Sequence, residues 1–247
     1  MIEQGYSEDK AKDAFFIFDQ SGLMGTERAD LLNPEQQVFA REEDGGMPLM
    51  EAIEKYKPDI LLGVTAVGGL FTENVVRTMA AQVERPIIFP LSNPTTKAEC
   101  TAEQAYEWTD GRCIFASGSP FDPVTLEDGR TFAPSQCNNM YVFPGLGLGA
   151  TVCGATKVTD RMLYIAAEAL AKFVPDEAIA NGQVFPKLST IREVSHRIAV
   201  AVVEEAVRDG LATRVSAKDA RDLDSFVHRK MYYPEYVPLV EKREVTI

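Results

Sequence analysis

The sequence predicts an α/β fold in which a parallel sheet covered by helices is followed by a helical C-terminal segment. Three observations predict it. Apolar runs of strand length alternate with helix-forming stretches over the first two thirds of the chain. Those runs are apolar at consecutive positions, the pattern of strands buried on both faces. The last third carries apolar residues at helical spacing instead. The 247 residues are 45% hydrophobic and 25% charged, an ordinary globular composition with enough apolar side chain for a core.

The elements follow in order. Ser7 to Ala14 reads as the end of a helix. Phe15-Phe16-Ile17-Phe18-Asp19 is an apolar run closed by an acid and reads as a buried parallel strand. Residues 20–47 form a polar loop bearing Gly22, Gly25, Pro34 and Gly45-Gly46. Pro48 to Tyr56 is a short helix, and Asp59 to Gly63 is the next strand. A glycine-bearing turn leads to a helix from Thr72 to about Val83. Pro86 to Leu91 is a strand, Ser92-Asn93-Pro94-Thr95 a turn, Thr101 to Trp108 a helix, and Cys113 to Ala116 a short strand. Met162, Ile165, Ala166, Ala169, Leu170 and Phe173 mark one amphipathic helix. Ile191, Val194, Ile198, Val202 and Ala206 mark another. Both stripes face a core and carry no catalytic role. A polar tail follows from about Asp209.

Charge and cysteine usage exclude several classes. The formal net charge is −12, which argues against nucleic acid and anionic membrane as partners. The longest nearly apolar stretch, Ile60 to Phe71, falls short of the roughly 20 residues that span a bilayer. The first residues lack a basic start and an apolar run, so no signal peptide is read. Cys100, Cys113, Cys137 and Cys153 form no C-x-x-C pair, so they read as reduced, buried thiols. This points to a soluble intracellular protein, cytoplasmic in preference to the mitochondrial matrix. His196 and His228 read as helix-surface residues. Glu42-Glu43-Asp44 and Asp219, Asp222, Asp224 read as solvated charge runs.

Asp19 carries the first functional hint. In dinucleotide-binding sheets an acid at the end of the second strand bonds the adenosine ribose, and the Gly-rich phosphate turn lies roughly 20 residues earlier. That turn would fall before Met1, so the expected fold is an incomplete Rossmann-type parallel sheet lacking its first βα unit. Gly145-Leu146-Gly147-Leu148-Gly149-Ala150 fits the phosphate-turn pattern, but helices follow it where a strand ending in an acid is required. It reads as a closely packed helix. Gly63 to Gly69 and Ser92 to Thr95 lie at the carboxyl ends of strands, where ligands of open α/β sheets bind. The N–H groups of the first turn read as a cofactor cradle. Gln136-Cys137-Asn138-Asn139 is a cluster of amides suited to a carboxamide or a carboxylate. Singly, each loop reads better as a turn satisfying its own backbone.

Together these segments resemble the malic enzyme family, the oxidatively decarboxylating malate dehydrogenases. Arg85 to Thr95 resembles that family's Ser-Asn-Pro-Thr strand and loop. Phe115 to Val124 resembles its Ser-Gly-Ser-Pro-Phe segment, and Gln136 to Gly145 its Asn-Asn…Phe-Pro-Gly segment. The similarity runs from about residue 1 to residue 240. Gln136-Cys137 and the C-terminal Arg243-Glu244-Val245-Thr246-Ile247 lean toward the bacterial NAD-type branch.

The resemblance implies oxidation of malate at C2 by hydride transfer to NAD(P), loss of CO2, and release of pyruvate. It implies Mg or Mn in the complete enzyme. The family's tyrosine, lysine and three metal-binding acids match nothing here and would precede residue 1, so no catalytic or metal-binding residue is expected in this chain. What carries over is Asp19 for the adenosine ribose, Val64 and Thr65 along the cofactor, Asn93 beside the nicotinamide and Asn138 on malate. NAD is favoured by Gln20 after the acid and by the absence of a basic residue in Asn33 to Gln37, while Arg28 keeps NADP open. The implied domains are a truncated NAD-binding domain over 1–138, a helical return segment of the catalytic domain over 139–210, and a tail over 211–247 that helps assemble a tetramer. Alternatives are a non-catalytic nucleotide-binding or oligomerisation module and another Rossmann oxidoreductase. The chain alone is expected to be inactive.

Overall fold

A computed structural model describes residues 1–234 and 236, so the segment 243–247 that leans toward the NAD-type branch lies outside the described residues. The chain divides into two compact units, one of residues 1–138 and 176–185 and one of residues 139–175 and 186–247.

The first unit opens with α1 (Glu8–Asp13), whose N-terminus is capped by the Ser7 hydroxyl. β1 (Phe18–Asp19) follows, paired antiparallel with β2 (Gly22–Leu23). This corrects the reading of Phe15–Asp19 as a strand of the parallel sheet. Its backbone is taken by a local hairpin, with Met24 N–H donating to the Ile17 carbonyl. Phe15 is half exposed, and Phe16 stacks on Tyr56 under the Arg41 guanidinium. The polar loop holds a further helix, α2 (Pro34–Gln37), because Asn33 and Gln36 form a reciprocal capping box and Pro34 starts the turn.

α3 (Leu49–Tyr56) leads into the sheet, built from β3 (Ile60–Gly63), α4 (Glu73–Gln82), β4 (Ile87–Pro90), α5 (Ala102–Trp108) and β5 (Ile114–Ser117). Thr72 caps α4, and Thr101 with Gln104 caps α5. A small hairpin, β6 (Val124–Thr125) with β7 (Thr131–Phe132), precedes β8 (Ser135–Gln136). The sheet order is β3-β4-β5-β8, every neighbour parallel. β8 lies where the sequence reads only amides, since two residues carry no apolar pattern. The core under the sheet joins Ile53 of α3, Leu61, Val76 and Met79 of α4, Ile88, Tyr106 of α5 and Phe115. On the edge strand β3 the pattern is one-sided: Leu61 and Gly63 are buried, Ile60 and Leu62 exposed.

Past α6 (Phe143–Cys153) and α7 (Asp160–Phe173) of the second unit, α8 (Asp176–Ala180) belongs to the first. Arg85 donates to the carbonyls of Ile179 and Ala180 at its end, and Ser135 Oγ accepts from Val184 N–H at 3.0 Å.

In the second unit α6 and α7 pack on α9 (Ile191–Arg208). α9 buries Val194, Ile198, Ala199, Val202, Val203 and Ala206, each worth about 1–3 kcal/mol of apolar burial. Gly145 and Gly149 face it, and a Cβ there would stand 2.7 Å from Ser195 O and 2.8 Å from Ala199 O. The glycine-rich run is therefore a helix in close contact. The polar tail contains a helix, α10 (Leu223–Lys230), because Phe226 and Val227 are buried and Asp222 caps it. His196 is not a plain surface residue: it is half-buried on α9, its ring 5.9 Å from that of His228 on α10.

Candidate functional site at the strand ends

The four parallel strands end at Gly63, Pro90, Ser117 and Gln136, along the edge where such sheets bind ligands. Glu99, just before α5, is fully buried there. Its carboxylate accepts from the Thr65 N–H at 2.9 Å, the Thr65 hydroxyl at 2.7 Å and the Ser92 hydroxyl at 2.5 Å. The Ser92 N–H adds a longer contact of 3.4 Å. Burial pushes the Glu99 carboxyl up, but the hydrogen bonds from Ser92 and Thr65 outweigh it and hold the group below the usual carboxylate range. Gly63 makes the room, since a methyl there would overlap the Glu99 carboxyl. Glu99 was not among the residues singled out from the sequence. A lone acid after Ser92–Thr95 carries no local mark of burial.

Within Gly63–Gly69, read as a cradle of free N–H groups, four of those groups already have acceptors. The Thr65 N–H goes to Glu99, that of Ala66 to Ser92 Oγ at 2.8 Å and that of Val67 to Thr65 Oγ1 at 3.1 Å. The Gly69 N–H goes to the Ala98 carbonyl. A buried carboxylate needs donors in place of water, and the Thr65 N–H with the Thr65 and Ser92 hydroxyls supplies them. The turn instead presents Val64 and Val67, 79% and 54% exposed.

Hydrogen bonds continue across the strand ends. Asn93 is exposed, and its Oδ1 accepts from the Ser119 hydroxyl. Gln136 Nε2 donates to the Gly118 carbonyl at 3.1 Å, and Cys137 N–H to the Ser117 carbonyl at 2.9 Å. Asn138, half-buried, comes next. Val64, Thr65, Asn93 and Asn138 thus follow the ends of three strands of one sheet. The hydrogen bonds of Asp19 stay local instead. Its carboxylate accepts from Arg28 Nη1 at 2.7 Å and from Ser21 N–H at 2.8 Å. The Arg28 hydrogen bond holds its carboxyl below the usual range.

Other candidate groups have structural partners. Asp44 binds Lys55 and Tyr56, Asp219 binds Ser216 and Arg229, and Asp222 caps α10, so these charge runs hold local structure. Among the described residues no three His, Cys, Asp or Glu side chains gather as a metal site. Cys100, Cys113 and Cys153 are buried free thiols, and burial pushes Cys113 up to about 11. A cleft of about 490 Å³ lined by Arg85, Arg112, Phe132 and Asn181 lies at the opposite ends of β4 and β5. Both arginines there already donate to backbone carbonyls. No helix among the described residues is long and apolar enough to cross a membrane.

A four-stranded parallel sheet flanked by helices, with its polar loops at the carboxyl edge, defines a Rossmann-type α/β protein. The profile of the family "Malic enzyme, NAD binding domain" matches residues 1–207, and the chain belongs to that family. NADP-dependent malic enzymes of Dictyostelium discoideum and Rattus norvegicus are 48% and 46% identical over 236 residues. That of Homo sapiens is 44% identical over 234 residues. These alignments cover 95%, 96% and 95% of this chain but 43%, 41% and 40% of the relatives. The chain therefore spans about two fifths of their length. The malic enzyme structure from Entamoeba histolytica superposes with a TM-score of 0.66 at 23% identity, covering 87% of this chain and 41% of that one. That from Pyrococcus horikoshii Ot3 gives 0.61 at 24%, covering 84% and 43%. These two likenesses concern the fold alone.

Proposed function

We propose that the chain is the later part of the cofactor site of a malic enzyme, which oxidatively decarboxylates malate to pyruvate and CO2 while reducing NAD(P). The observation that carries this reading is the 44–48% identity to proteins of that name along nearly the whole chain. The nicotinamide dinucleotide supplies the hydride acceptor. Asp19 accepts from the hydroxyls of the adenosine ribose. Val64 and Thr65 lie along the cofactor, with Val64 offering an apolar surface. The Asn93 carboxamide, steadied by Ser119, pairs with that of the nicotinamide. Asn138 donates to a malate carboxylate. Malate, pyruvate and a tetrameric assembly belong to the same proposal, as do a cofactor domain over 1–138, a catalytic return segment over 139–210 and a tail over 211–247. The described residues do not fit a Mg or Mn site, so no step here passes through a metal.

NAD is the cofactor that Gln20 and the uncharged stretch Asn33–Gln37 favour. A second reading, NADP, rests on Arg28. Its guanidinium neutralises Asp19, which lessens the repulsion of a 2′-phosphate and sets a cation beside it. The test is an amide-resolved titration of the chain with NAD and NADP at millimolar concentration. Shifts at Asp19, Val64, Thr65 and Asn93 are expected, and tighter binding of one dinucleotide decides between them. Shifts confined to other residues with both dinucleotides would refute the assignment.

A further inference from the structure

Glu99 raises a question that dinucleotide binding alone does not answer. A carboxylate is fully buried immediately beneath two functional loops, and its hydrogen-bond partners, Thr65 and Ser92, are neutral. A cation beside it would offset the cost of burial more simply. Its donors do two things. They fix Thr65 and Ser92, hence also Asn93, at one height on adjacent strand ends. They also leave the N–H groups of residues 65–67 already bonded to Glu99, Ser92 Oγ and Thr65 Oγ1, where an anion would need them free.

We propose that Glu99 is a positioning residue that makes this edge of the sheet select the positively charged, oxidised nicotinamide ring over the neutral reduced one. This rests on the placement of Asn93 beside the nicotinamide proposed above. The loop built around Glu99 has the wrong features for a phosphate: the amides of residues 65–67 already have acceptors and the charge behind them is negative. It has the right ones for a cationic ring, with exposed valine surface, a carboxamide at Asn93 and a negative charge close behind. Screening is weak because the carboxylate is buried. At an effective dielectric of about 20, a unit charge within roughly 15 Å shifts the preference for a cation by roughly fivefold or more. Glu99 thereby holds the substrate form of the cofactor more firmly than the product form.

The experiment compares wild type with Glu99→Gln. The glutamine carbonyl oxygen still accepts from Thr65 and Ser92, so the loops stay in place while the charge is removed. Oxidised and reduced dinucleotide are titrated into the full chain, following the amides of Thr65 and Asn93. The expected result is a dissociation-constant ratio, reduced over oxidised, that falls roughly fivefold in Glu99→Gln. A folded variant that binds both forms with the wild-type ratio would overturn the proposal and leave the cofactor site standing. A wild type in which neither form moves these amides would remove the cofactor site and this inference together. A measurement on wild type alone covers the case of a variant that fails to fold. The N1-methylnicotinamide cation should shift Thr65 and Asn93 at lower concentration than neutral nicotinamide, and inorganic phosphate should leave residues 64–67 unmoved. Equal response to the cation and the neutral ring would overturn the proposal.

Discussion

Single residues set the behaviour of the strand-end edge. In the folded chain the Glu99 carboxyl sits below its ordinary value, about 4.3 in an unfolded chain. The sign follows from linkage. A lowered carboxylate contributes stability that is whole above the unfolded value and is lost as pH falls through the folded one. Wild type should therefore lose stability on acidification below about pH 4.3, and Glu99→Gln should lose less. Asp19 and Asp44 titrate in the same direction, so the difference between the two proteins is the quantity to read, from urea midpoints across the acid range. The two asparagines are proposed to act on cofactor and substrate instead. In a full-length malic enzyme that carries this segment, Asn138→Ala should lower kcat/KM for malate by about 1.5–3 kcal/mol, roughly 10- to 150-fold, with the melting temperature unchanged. Asn93→Ala should weaken cofactor use. Unchanged kinetics with a large fall in melting temperature would make both residues merely structural.

Elements differ in how plainly the sequence announces them. β3, β4 and β5 and the helices between them were legible because each strand is a run of consecutive apolar residues and each helix has a capping threonine or a proline at its start. The same rule misplaced Phe15–Asp19, whose apolar run pairs locally and leaves Phe15 half exposed. β8 is too short for any pattern, and α10 buries only Phe226 and Val227, too few to mark a stripe. The strand-end loops were found by position, but the direction of their N–H groups was not, because it depends on Glu99 more than thirty residues away in sequence. In α6 the glycines differ by face, which gives a test. A Cβ on Gly147 meets nothing within 4 Å, so Gly147→Ala should stabilise by about 0.5–1 kcal/mol through helix propensity. Gly149→Ala gains the same propensity but presses on the Ala199 carbonyl and the Val202 side chain, a net loss of up to about 2 kcal/mol. Thermal melts of the two variants should move in opposite directions.

At the scale of the whole molecule, the proposed function gives this chain the later part of a cofactor site and leaves proton transfer to residues outside it. Among the described residues no metal-binding cluster accompanies the strand-end loops, and their one buried carboxylate is fully occupied with the loops themselves. Made alone and incubated with malate, NAD or NADP and Mn²⁺, the chain should yield neither reduced cofactor nor pyruvate. Loss of metal and of acid–base groups costs orders of magnitude apiece. Metal-dependent turnover that survives rigorous removal of host enzymes would contradict the proposed division of the site. The strand order β3-β4-β5-β8 follows the order of the chain, with no strand inserted between two made earlier. Each strand therefore meets its neighbour already synthesised as it leaves the ribosome. The sheet can grow from one side during translation, each connection closing a loop of roughly two dozen residues or fewer.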